Sequence, residues 1–227
     1  MKLEVFRDAD GACERGAEIL ADQIHAAMRE RGRALVALSG GRTPWAMLEK
    51  LAAKELPWDR ILFFQVDERD CPAEDDARNL KHLHACLPVE AQIEAMPVES
   101  GEAGAGRYAS RLASSAGNPP VLDVVHLGLG PDGHTASLVP GDAVLEVRDR
   151  EVAWTLSAYQ GRRRMTVTYP LLDRARFVFW LVAGEDKREA LAKLLDGDSS
   201  IPAGRVRNAH SLVLAEATAA GEMSSDR

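Results

Sequence analysis

ALVALSGGRTPWAMLEKLAAK, residues 34–54, decides the fold. The opening ALVAL is apolar without alternation, the pattern of a strand buried on both faces of a parallel sheet. Two glycines, Gly40 and Gly41, then break the run. Pro44 starts a helical pattern over 44–54, since proline is tolerated at the first helical position, with Thr43 able to cap it. A doubly buried strand turning through glycine into a helix is the first half of a βαβ unit.

The same alternation recurs along the chain. ILFFQV (61–66), VLDVVHLGL (121–129) and FVFWLVA (177–183) read as buried strands. Between them lie helical patterns at 80–87, 104–115 and 187–195. A further pattern at 12–31 places Ile19, Leu20, Ile24 and Met28 on one face. Residues 152–169 read as two strands, VAWTLS and MTVTY, joined at Gln160-Gly161. The expected fold is α/β: an open, largely parallel, doubly wound (Rossmann-like) sheet with helices on both faces, in a single domain over 1–227. The small polar tail 217–227 is expected to fray.

Composition narrows the function. The 227 residues carry a net charge of -7, which disfavours nucleic acid and anionic membrane as partners. An anionic small molecule then needs a local cationic pocket. Three cysteines in no zinc or redox spacing suit a reducing compartment. The charged start and the absence of a long apolar run predict a soluble, cytoplasmic protein. A monomer is expected, with no metal and no cofactor.

Ligands of open α/β sheets bind beyond the carboxyl ends of the strands, so the loops after the apolar runs are the candidate site. Ser39, Gly40, Gly41, Arg42 and Thr43 offer close backbone approach, hydroxyl donors and a helix start suited to phosphate. The loop is neither a Walker A sequence nor a dinucleotide fingerprint. Asp67, Glu68, Arg69 and Asp70 follow the second strand, with Arg78-Asn79 able to return to the same pocket. GLGPDGHTASL (128–138) is the most specific segment. His134 sits there in a glycine-rich turn, where an imidazole can take a proton from water and return it, and Asp132 can fix its tautomer. Lys187 opens the helix after the last strand, and Arg162, Arg163 and Arg164 form the dense basic run.

Taken in order, SGGRTP (39–44), VDERDCP (66–72) with RN (78–79), LGLGPDGHTASLVPG (127–141), RMTVTYPLL (164–172) and VAGEDKREAL (182–191) resemble the 6-phosphogluconolactonase family. The resemblance spans roughly 34–195. It implies hydrolysis of 6-phospho-D-glucono-1,5-lactone to 6-phosphogluconate, the second step of the oxidative pentose phosphate pathway, without a metal. It places the catalytic histidine at His134, the phosphate loop at 39–44 and substrate-holding cations at Arg69, Arg164 and Lys187. Two positions depart from the family pattern. Arg42 replaces a small residue, and Arg78 replaces a serine, which leaves Asn79 as the polar contact of that pair.

The expected mechanism has the 6-phosphate on the 39–44 loop, with Lys187 and Arg164 closing on it. His134 deprotonates a water that attacks the lactone carbonyl. Arg69, or backbone N–H groups near Gly130, stabilises the oxyanion. Asp67 serves the chemistry or orients the pocket. Two other readings remain. An amino-sugar-phosphate isomerase/deaminase would use Asp67 as proton abstractor, and a sugar-phosphate sensor would bind without turnover. The continuation after His134, Thr135-Ala136-Ser137-Leu138-Val139-Pro140-Gly141, favours the lactonase.

Overall fold

The computed structural model describes residues 1–221. In chain order the elements are β1 (Lys2–Phe6), α1 (Ala9–Arg31), β2 (Ala34–Leu38), α2 (Arg42–Ala52), β3 (Ile61–Gln65), β4 (Asp67–Arg69), α3 (Asn79–Cys86), β5 (Gln92–Glu94), α4 (Glu102–Ala116), β6 (Val124–Leu127), β7 (Val152–Trp154), β8 (Arg164–Val167), α5 (Tyr169–Arg174), β9 (Val178–Val182), α6 (Arg188–Leu195), β10 (Ser211–Glu216) and α7 (Ala217–Ala220). Among the described residues, seven strands form one parallel sheet in the order β1-β10-β9-β6-β2-β3-β5. A second, antiparallel sheet is ordered β4-β8-β7.

The doubly wound expectation holds. Alternate residues of β2 face opposite ways: Leu35 and Ala37 join the core under α4, α5, α6 and α7, whereas Val36 and Leu38 join the core under α1, α2 and α3. That two-sided burial is why the run carries no polar alternation. α1 buries Ile19, Leu20 and Ile24 in the second core, each contributing about 1.5–3 kcal/mol. Its ends are fixed by Asp8, whose carboxylate accepts the Gly11 N–H, and by Gly32 in the left-handed region.

Three expectations need correction. α2 begins two residues earlier than expected: Gly41, at φ 133°, is its N-cap, and Pro44 lies inside its first turn. There the missing N–H is still one the helix leaves unpaired, so proline costs nothing. No side-chain cap by Thr43 forms. The tail is not frayed from residue 217, because α7 packs Ala219 and Ala220 fully into the core; residues 222–227 of that tail lie outside the described residues. Finally, the 61–66 run does not end as one strand. The chain passes through Val66 and starts β4, which leaves the main sheet to pair with β8.

β2 and β6 are neighbours, and the chain leaves them in opposite directions, β2 toward β3 and β5, β6 toward β9 and β10. This is the topological switch point, where loops diverge and open a crevice. The small sheet roofs that crevice. Two strands form in 152–169, turned near Gln160-Gly161, but they are shorter than expected: β7 stops at Trp154, and β8 at Val167, where Thr168 and Tyr169 open α5.

Candidate active site

Beyond β2 and β6 lies a cavity of about 160 Å³ lined by Ser39, Gly40, Asp67, Arg69, Gly128, Leu129, Gly130, His134, Ala136, Arg164 and Lys187. Loops after three strands of the main sheet, β2, β6 and β9, meet here with two strands of the small one, β4 and β8.

His134 is held by its own turn. The Gly130 N–H donates to the His134 carbonyl at 2.8 Å, and the Gly133 N–H donates to the Gly130 carbonyl at 3.0 Å. Asp132 folds back within that turn so that its Oδ1 lies 2.6 Å from His134 Nδ1 and accepts the His134 N–H at 3.2 Å. A side chain at position 130 has no room: a Cβ would sit 2.0 Å from Nδ1 and 2.7 Å from Oδ1. Burial opposes the Asp132 charge, but the hydrogen bond and charge of His134 and the Tyr159 hydroxyl outweigh it and hold the carboxyl well below the usual carboxylate range. With Nδ1 engaged, His134 Nε2 has no partner among the described residues, and the ring faces the cavity.

The cations come from opposite walls. Arg69 and Arg164 are directly paired across β4 and β8. Arg164 is buried, 4% exposed; its Nη2 donates to Gln160 Oε1 at 3.0 Å, its Nη1 lies 3.9 Å from Asp67 Oδ2, and its Nε has no hydrogen-bond partner. Burial pulls its guanidinium below the ordinary value, and neighbouring Arg69 adds to this. Arg69 Nη1 donates to Asn79 Oδ1. Lys187 closes the third side, 2.9 Å from Asp186. Alternation turns Arg163 away, to Glu102 and over Trp154, while Arg162, ahead of β8 and on the same side as Arg164, pairs with Asp75 at 2.8 Å.

Asp67 is held by hydrogen bonds at both of its oxygens. It is 5% exposed; Oδ2 accepts Ser137 Oγ–H at 2.6 Å and Oδ1 accepts Asn79 Nδ2–H at 3.2 Å. Glu68, fully buried, accepts the N–H groups of Asn79 and Leu80 at the start of α3, plus Arg69 N–H and Gln65 Nε2–H. Arg78 stands behind the site: its Nε lies 3.4 Å from Glu68 and its Nη1 donates to the Cys71 carbonyl. Gly40 must stay bare, since a Cβ there would meet Asn79 Oδ1 at 1.9 Å.

Of the sequence candidates, Ser39, Gly40, Asp67, Arg69, His134, Arg164 and Lys187 share the cavity, with Asp132 and Asn79 directly behind it. Gly41, Arg42 and Thr43 line an adjoining depression of about 340 Å³ that shares Gly40 and Lys187. Arg42 is exposed and also borders a separate hollow with Trp45, His82 and Arg162. Two backbone donors beside the cavity are already engaged: the Gly130 N–H is spent inside its turn, and the Gly128 N–H donates to Ser39 Oγ at 3.3 Å. Tyr159 went unanticipated; its hydroxyl donates to Asp132 Oδ2 at 3.0 Å. Its only sequence signal is an aromatic residue beside the Gln160-Gly161 turn.

A doubly wound α/β chain with a histidine–carboxylate pair in a cation-lined cavity at the switch point is built to act on a small anionic ligand. The family model for glucosamine-6-phosphate isomerases/6-phosphogluconolactonase matches residues 7–215, and the chain belongs to that family. A 6-phosphogluconolactonase of a Nostoc species is 38% identical over 85% of this chain and 84% of its own length. One from Mycobacterium bovis is 36% identical over 98% of both chains. The crystal structure of a 6-phosphogluconolactonase from Thermotoga maritima superposes with a TM-score of 0.81 at 29% identity, over 95% of this chain and 98% of that one. Among the described residues no helix is long and apolar enough to cross a membrane, and no group of three or more His, Cys, Asp or Glu is placed to hold a metal ion.

Proposed function

We propose that this chain hydrolyses 6-phospho-D-glucono-1,5-lactone to 6-phosphogluconate, as its relatives' names indicate. The observation that carries the mechanism is the Asp132–His134 pair at 2.6 Å, with Nε2 free toward a cavity that Arg69, Arg164 and Lys187 also line. The 6-phosphate docks against the 39–44 loop, with Lys187 and Arg164 supplying charge. Each charge-assisted contact is worth about 1.5–3 kcal/mol, enough for useful affinity on an acidic protein. His134 Nε2 takes a proton from water as the oxygen attacks the lactone carbonyl carbon. Asp132 accepts Nδ1–H, fixing the tautomer and stabilising the imidazolium. Arg69, which lines the cavity, faces the oxyanion, since the Gly130 and Gly128 N–H groups are already used. The tetrahedral intermediate collapses by breaking the bond between C1 and the ring oxygen. Nε2–H then protonates that oxygen, and the new carboxylic acid loses its proton to solvent.

Asp67 orients the pocket rather than abstracting a proton, because both its oxygens already accept hydrogen bonds. That weighs against the deaminase reading. A cytoplasmic location and a monomeric state are part of the proposal. The test is proton release from fresh lactone by chelator-treated protein, with His134→Ala beside it. Acceleration that survives the chelator and drops about 10²–10⁴-fold in the variant supports the reading. No acceleration over the spontaneous rate overturns it, and ammonia release from an amino-sugar phosphate would then point to the deaminase.

A further inference from the structure

Tyr159 lies in neither the phosphate loop nor the histidine turn, yet it touches three parts of the site. Its hydroxyl donates to Asp132 Oδ2 at 3.0 Å and lies 3.3 Å from His134 Nδ1. Its ring meets the imidazole edge-on at 5.1 Å between centroids. The Arg164 guanidinium carbon lies 5.0 Å from that ring's centroid.

The hairpin tip that presents it is rigidly anchored. Tyr159 and Arg162 bridge around Gln160 and Gly161, whose φ values of 53° and 79° make both central residues left-handed, as in a type I′ turn. Gln160 bears that conformation without being glycine, and its side chain accepts from Arg164 Nη2 at 3.0 Å. Arg162 ties the other side to Asp75 at 2.8 Å. The tip therefore joins the histidine–carboxylate pair to the buried cation by two adjacent side chains.

Proton placement follows from the distances. Asp132 Oδ1 lies 2.6 Å from Nδ1, so the Nδ1 proton points there, not at the phenol oxygen. The phenol proton then points to Oδ2. Burial and the Asp132 charge both push the Tyr159 hydroxyl above its ordinary value, so it stays protonated.

We infer that Tyr159 is a positioning residue: it fixes the Asp132 carboxylate from the side opposite His134 and thereby sets the orientation and basicity of the imidazole. This rests on the lactonase reading for its kinetic consequences, but not for its structural ones. By drawing charge from Oδ2, the phenol weakens the carboxylate's hold on a protonated imidazole. Removing the hydroxyl strengthens that hold, so His134 keeps its proton to higher pH. Arg164, Arg69, Lys187 and Asp67 also face this space and are unchanged by the substitution.

The test is Tyr159→Phe in the full chain, which keeps the ring and its contacts. The expected result is a kcat about tenfold lower, the equivalent of one hydrogen bond to a charged group, with KM nearly unchanged. The acid limb of kcat/KM moves to higher pH, and the His134 imidazole titration followed by NMR in the free protein moves with it. In an Asp132→Asn background the same substitution has no further effect. A wild-type kcat, pH profile and titration midpoint in Tyr159→Phe would overturn the inference, as would a change in KM alone or full additivity with Asp132→Asn. If wild-type protein is inert toward the lactone but the NMR midpoint still shifts, the lactonase reading fails and the positioning role stands.

Discussion

His126 gives the sharpest energetic prediction, because it separates acid loss of stability from acid loss of activity. It lies in β6, fully buried against Phe179, and neither ring nitrogen has a hydrogen-bond partner. Burial alone pushes the imidazole down from 6.5 to about 3. Between those values the unfolded chain binds a proton that the folded chain refuses. Stability is therefore lost as pH falls below about 6.5, and the loss is complete near 3. At pH 5 the difference is about 1.5 pH units, and at 1.36 kcal/mol per unit this amounts to about 2 kcal/mol. Replacing the ring with leucine (His126→Leu) removes the titration and two unsatisfied nitrogens at similar volume. Urea unfolding at pH 7.5 and pH 5 should show the wild type losing about 2 kcal/mol more than the variant. The variant should also be at least as stable at pH 7.5. Equal losses in the two proteins would refute the assignment of His126 as a buried neutral residue. The same pair of proteins keeps the activity profile interpretable, since His126→Leu should leave the pH dependence of kcat/KM unchanged.

Other outcomes follow from the site geometry. Gly130→Ala forces a Cβ to within 2.0 Å of His134 Nδ1; proton-release assays should show kcat down by about 10²-fold, the usual cost of ångström-scale misplacement. Arg164→Met should raise KM for the phosphorylated lactone about tenfold or more, while Arg163→Met, facing Glu102, should leave it unchanged. Glu68→Gln should cost about 3 kcal/mol in urea unfolding, because it strips a buried carboxylate from Arg78 and the start of α3. Because the Asp132 carboxyl is held well below the carboxylate range, it stays charged and should add no limb to kcat/KM between pH 8 and pH 5.

The doubly wound core was legible because its strands are buried on both faces. β2 and β9 read as unbroken apolar runs and β3 and β6 as largely apolar ones, and the switch-point rule pointed to the loops that follow them. The edges were not legible. β1 is KLEVF, an edge strand with only Leu3 buried, so charge masks its pattern. β4 is three residues, Asp67 to Arg69, and becomes a strand only through pairing with β8. Neither propensity nor periodicity can supply such a partner. Asp67 likewise read as a possible base, because a sequence does not show that Ser137 and Asn79 occupy its oxygens.

Arg162, Arg163 and Arg164 show what the sequence withheld and the pairing restored. In a strand neighbouring side chains point to opposite faces, so only one register sends Arg164 inward. The β4–β8 register does so and sets Arg164 directly opposite Arg69. Like charges facing each other across strands are destabilising, and a buried guanidinium with an unpartnered Nε adds to the cost. A chain of net charge -7 has acidic side chains to spare, yet the carboxylate nearest Arg164, Asp67, stays 3.9 Å away and is satisfied by Ser137 and Asn79 instead. The fold thus keeps two adjacent cations under-neutralised beside a free imidazole nitrogen. Local rules of stability are broken at that point in favour of an anion brought by a ligand. In the proposed reaction, the substrate's phosphate or the oxyanion formed at the lactone carbonyl supplies that charge.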